Sequence, residues 1–153
     1  MNNKFMFPLV ALGLLLLMGV YFLVNPSYEK SIRAKYHFEM GEYKQALVLS
    51  KEAFAIDLYN RMAATVMAQS ITSLKYVDYI KMGQKYMLEI DKIASHEYIT
   101  EQDKAKIRII CEIMISSYIK LAPSVITDEK LVQESADYVQ KFEKLLEKVN
   151  KKI

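Results

Sequence analysis

Cysteine is almost absent: Cys111 is the only one in 153 residues, so no disulfide can form within the chain. It lies in the apolar run IRIICEIMI, with no His or cationic pocket beside it in the local sequence, and reads as a buried structural thiol. Glycine and proline are scarce as well, at 4 and 3 residues, which leaves few places for turns. Ala, Leu, Ile, Met, Lys and Glu abound and favour helix, although the 11 Tyr would suit strands nearly as well, so periodicity has to decide. No block of one charge exists. Lys and Glu alternate around a net charge of +3, which excludes the basic stripe that nucleic acid binding needs. Only His37 and His96 are histidines, and neither has metal-ligand spacing around it. Phosphate loops, nucleophile motifs and Cys-His arrangements are all missing. Glu39, Glu42, Asp57 and Asp91 sit at expected turns and helix ends, where carboxylates satisfy backbone donors or pair with Lys rather than work as acid and base. No metal, cofactor or catalytic centre is therefore expected. What the chain does have is 52% hydrophobic residues beside 25% charged ones, enough for a packed core.

After a short tail, residues 1–4, an uncharged run of 20 residues extends from Phe5 to Val24. As a helix it would be about 30 Å long, the thickness of a bilayer's hydrocarbon layer. Its exit, FLVNPSYEK, has large apolar groups where signal cleavage wants small ones, and no Cys follows for lipid attachment. An uncleaved signal-anchor is expected, ended by Asn25 and Pro26, with Tyr21 and Phe22 at the interface. Lys4 and the amino terminus stand on one side and Lys30, Arg33 and Lys35 on the other. The latter three belong to an expected folded helix, and long domains cross largely regardless of charge, so the amino terminus is placed inside and the bulk outside the cytoplasm. A bacterial inner membrane is the expected location.

From Ser27 onward, Ile32, Tyr36 and Met40 and then Tyr43, Ala46, Leu47, Ser50 and Phe54 recur at helical intervals, with Gly41 breaking the helix between them. This predicts an all-α domain over 27–153 built of about three antiparallel helix pairs, near 28–57, 61–93 and 100–150, the second dividing into Met62 to Lys75 and Tyr76 to Ile93. Thr100 with Asp103 makes a capping box, and Asp128 and Glu129 suit a helix start beyond Pro123. Leu131, Ala136, Val139, Phe142, Leu145, Leu146 and Val149 form one stripe on the last helix, suited to closing a stack. SKEAFAID at 50–57 is echoed 34 residues later by QKYMLEID at 84–91.

Ala34, Gly41, Tyr43, Ala46, Ala53 and Asp57, together with that interval, resemble the tetratricopeptide repeat. Leu58 stands where the repeat usually has Pro. In the second copy Ala68 and Asp91 stay in register, while Lys75 and Ile80 replace the turn Gly and a small residue. The resemblance implies a concave groove lined by the first helix of each pair and holding a peptide or helix of a protein partner. By position that groove would use Tyr28, Ser31, Lys35, Phe38, Glu39, Met62, Thr65, Gln69, Thr72 and Ser73. These do not form the Lys and Asn clamp that related domains use for acidic carboxyl termini. The implied function is a membrane-anchored module that scaffolds assembly or quality control of an envelope complex. The alternative is a small structural subunit of one membrane protein complex. An envelope enzyme would instead need a deep pocket with convergent polar groups.

Overall fold

The computed structural model describes residues 3–123 and 127–151. They form six helices, α1 (Asn3–Val24), α2 (Pro26–Glu39), α3 (Tyr43–Ile56), α4 (Arg61–Ala94), α5 (Glu101–Ile119) and α6 (Glu129–Asn150), and no strand occurs among the described residues. The chain divides into two compact units, Met1–Ile71 and Thr72–Ile153, with α4 running from one into the other.

In the first unit α1 ends at Val24, and Asn25 caps α2 by accepting from the Ser27 amide at 3.0 Å, with Pro26 in the first helical turn where a missing N–H does no harm. Among the described residues no single helix is long and apolar enough to cross a membrane. Met6–Phe22 meets that requirement only together with Pro26–Glu39, from which it is bent by 79°.

Gly41 stops α2. Its φ of +77° is open to glycine without a Cβ clash, and the amides of Gly41 and Glu42 return to the carbonyls of Phe38 and His37 at 3.0 and 2.8 Å, the Schellman arrangement. The His37 ring nitrogen Nδ1 meets the Glu42 carboxylate at 2.5 Å across the same turn. With only a few residues in the connection, α3 comes back antiparallel to α2. Fully buried Ala34 and Ala46 meet at their crossing with Val66 of α4 laid over them, and Phe38 packs edge to face on Tyr43 at 5.3 Å.

The inward face of α2 differs from the expected one. Ser27, Ser31 and Ala34 are buried, whereas Ile32, Tyr36 and Met40, the large apolar residues of the helical pattern, point outward. The reason is closeness: small side chains let α3 and the start of α4 approach, and the two hydroxyls are satisfied there by hydrogen bonds.

The second expected helix pair is absent. Residues 61–94 form one continuous helix of 34 residues instead of two helices meeting at Lys75 and Tyr76. Neither Gly nor Pro occurs from Ser73 to Ile80 to break the helix, and Ser73, Tyr76, Tyr79 and Ile80 are buried along it. Ala68, the expected counterpart of buried Ala34, is exposed.

The second unit is built on the later part of α4 with α5 and α6. Tyr79, Ile90, Ile93, Ile107, Ile110, Cys111, Met114 and Phe142 form its core, flanked by Leu145, Leu146 and Val149 of the predicted α6 stripe. Arg108 near the start of α5 donates from Nε to Asn150 Oδ1 at 2.9 Å, which fixes α5 and α6 as antiparallel. The capping box is present: Asp103 N donates to Thr100 Oγ1 at 3.1 Å and Thr100 N to the Asp103 carboxylate at 3.0 Å. At Gly83 α4 comes close to α6, because a Cβ there would lie 2.9 Å from Tyr138 Cδ1. Cys111 is buried as expected, and loss of solvent, followed by the Glu112 charge, pushes its thiol up to about 11.

Candidate functional site

The ten residues implied by the repeat resemblance occupy unlike environments. In the first unit Lys35, Glu39, Met62 and Thr65 are exposed, and Tyr28, Phe38 and Gln69 are half-buried. Ser31 is fully buried and bonded, so it cannot meet an occupant. Thr72 and Ser73 belong to the second unit, the former half-buried and the latter buried.

A buried polar junction takes Ser31 out of the surface. Asn60, completely buried, is the first residue before α4, and its Oδ1 accepts from the Ala63 amide at 3.1 Å, capping the helix. Its Nδ2 carries two protons. One goes to Ser27 Oγ at 2.8 Å and the other to Ser31 Oγ at 3.2 Å. Ser27 donates onward to the Ala53 carbonyl of α3 at 2.8 Å, and Ser31 to the Tyr28 carbonyl at 2.9 Å. Asn60 thus spends its donors and an acceptor without leaving a buried group unpaired, and three helices are tied at one point. The turn before it is an Asx turn, Tyr59 N donating to Asp57 Oδ1 at 2.9 Å, which leaves Leu58 and Tyr59 exposed.

This junction sets what the surface offers. By holding the small face of α2 inward it leaves Ile32, Tyr36 and Met40 outward at 44%, 62% and 62% exposure, four residues apart and therefore on one stripe. Glu29 and Arg33, paired at 3.5 Å, flank it. The beginning of α4 adds exposed Met62 and Thr65. The sequence reading missed the stripe as a surface because it assigned these apolar side chains to the core. The available signal was the second set at helical spacing, Ser27, Ser31, Ala34 and Phe38.

In the second unit a cleft of about 490 Å³ lies where the end of α4 meets α5, lined by Lys85, Leu88, Glu89, Lys92, Ile93, His96 and Lys106. None of the ten expected residues lines it. Lys106 bonds Glu89 at 2.7 Å, and that hydrogen bond, with the Lys85 and Lys92 charges, holds the Glu89 carboxyl below its usual range. The Lys85 and Lys92 amines stand exposed beside Leu88, itself exposed, over a floor of buried Ile93. Among the described residues no group of three or more His, Cys, Asp or Glu converges as a metal site would require.

No protein-family model matches the chain, and no curated protein or solved structure matches it either. These comparisons neither support nor oppose the tetratricopeptide resemblance.

Proposed function

We propose that the chain is a membrane-anchored helical interaction module, α1 holding it to a bilayer and the exposed start of α4 receiving a protein partner. The observation that carries this reading is the apolar surface left uncovered by the fold: α1 exposes Leu and Val on every side, and the first unit adds Ile32, Tyr36, Met40 and Met62. Exposed apolar area of this extent marks contact with lipid or protein. The tetratricopeptide plan is supported by α2, α3 and the start of α4, where Ala34, Ala46 and Val66 meet as the first helix of a following pair would require. It finds no support in the rest of α4.

The uncharged run Phe5–Val24 lies wholly within α1 and is about 30 Å long at 1.5 Å per residue, the hydrocarbon thickness of a bilayer, with Tyr21 near its end as an interfacial aromatic. The amino terminus lies in the cytoplasm and the helical domain outside it, in a bacterial inner membrane. Alkaline phosphatase, active only when exported, fused after Ile153 tests the topology: activity is expected, and an inactive but stable fusion contradicts it.

As a scaffold for assembly or quality control, the module holds its partner transiently. Purified from mild detergent, it should carry partner in less than equal amount and release it on washing. Recovery in fixed stoichiometry with one set of proteins would overturn the scaffold in favour of a structural subunit of one complex.

A further inference from the structure

We infer that α2 lies along the membrane surface, with the stripe of Ile32, Tyr36 and Met40 seated at the boundary between headgroups and acyl chains. The inference rests on the proposal that α1 enters the bilayer and adds to it a second membrane contact. Three relationships carry it. First, α1 and α2 are bent by 79° across Asn25, so a helix standing near the bilayer normal turns the next one close to the bilayer plane. Second, the stripe is on the side from which α1 rises. Tyr28, one turn before Ile32, packs edge to face on Phe22 of α1 at 4.8 Å, and Tyr28, Ile32, Tyr36 and Met40 follow one another at intervals of four. Third, the opposite side of α2 is occupied by protein: Ser27, Ser31 and Ala34 are buried against it, and Lys30 reaches Glu52 of α3 at 2.6 Å.

The chemistry of the stripe fits lipid. Tyr36 combines an apolar ring with a hydroxyl that wants water, the character of interfacial aromatics. An amphipathic helix in this position sinks about 5 to 10 Å into the boundary region. Charges near the stripe cancel, Glu29 against Arg33 and Glu39 against Lys35, so apolar contact supplies the grip and neutral phosphatidylcholine suffices.

The chain has no Trp, so single substitutions report one site each. Leu16→Trp on α1, Tyr36→Trp on the stripe and Val48→Trp on the exposed side of α3 are made in the full chain and reconstituted into phosphatidylcholine vesicles. The vesicles carry bromine either deep in the acyl chains or near the glycerol. Leu16→Trp should be quenched by deep bromine. Tyr36→Trp should emit at shorter wavelength and be quenched by shallow bromine, while Val48→Trp stays red and open to aqueous iodide. An inserted Leu16→Trp beside a red, iodide-accessible Tyr36→Trp would overturn this inference and leave the anchor standing. A Leu16→Trp beyond the reach of bromine would remove the anchor and the inference together. A short-wavelength Tyr36→Trp that bromolipid does not quench would show protein covering the stripe, and lipid quenching of Val48→Trp would place the contact elsewhere; either overturns it.

Discussion

Asn60 Nδ2 donates to Ser27 Oγ at 2.8 Å across 33 residues of sequence, and both side chains are wholly buried. One amide thereby caps α4 and holds the small face of α2 inward. Asn60→Ala removes the cap and leaves Ser27 and Ser31 each short of a donor, a loss of about 2 to 4 kcal/mol from the cap and the unpaired groups combined. Tyr59→Ala, at the adjacent exposed position, should cost no more than about 0.5 kcal/mol. Urea unfolding followed by helix circular dichroism measures the difference.

Ala46 sits without exposure at the crossing of α2 and α3, beside Ala34 and Val66. Ala46→Leu should therefore overpack the crossing and cost about 1 to 3 kcal/mol. Gln45 is exposed, and Gln45→Leu should shift stability by no more than about 0.5 kcal/mol. Equal midpoints for the two variants would place the crossing elsewhere.

Gly83→Ala sets two effects against each other. Helix propensity favours Ala by about 1 kcal/mol, but the new Cβ meets the Tyr138 ring at 2.9 to 3.3 Å from three of its carbons. The ring is half-buried and packed on the core, so it cannot simply swing away, and net destabilisation is expected. In a Tyr138→Ala background the same change should become stabilising. A double-mutant cycle reads this reversal of sign, and additivity would contradict the contact.

The Asp103 carboxyl is held below its ordinary value of 3.8 by the Thr100 side-chain hydrogen bond first and the Thr100 amide second. The folded chain takes up this proton less readily than the unfolded chain. The group's stabilising contribution is thus complete above the ordinary carboxylate range and is lost as pH falls from there through the lowered folded value. Asp103→Asn should flatten that part of the acid limb in unfolding measured from neutral pH downward; an unchanged limb would contradict the capping role.

Much of this architecture is written locally. Gly41 marks the α2 turn, Thr100 with Asp103 marks the start of α5, and the α6 stripe names its own buried face, because each signal acts within a turn or two of chain. The continuity of α4 was not legible, since the repeat interval suggested a turn at Lys75 and Tyr76 that no stop residue supports. The inward face of α2 was hidden for another reason. Hydrophobicity favours burying Ile32, Tyr36 and Met40, and the preference for Ser27, Ser31 and Ala34 becomes physical only when Asn60, far along the chain, arrives to satisfy the hydroxyls. The same junction withdraws Ser31 from the groove that the repeat resemblance implied.

The most direct test of the interaction module is photo-crosslinking in living cells, with benzoylphenylalanine placed singly in the full chain at Thr65, on the exposed start of α4, and at Lys44, on the outer side of α3. The account predicts a discrete protein adduct from position 65, lost when Met62→Glu is added, and none from position 44. Equal labelling at both positions, or an adduct from 65 that persists with Met62→Glu, would contradict a specific partner surface at the start of α4.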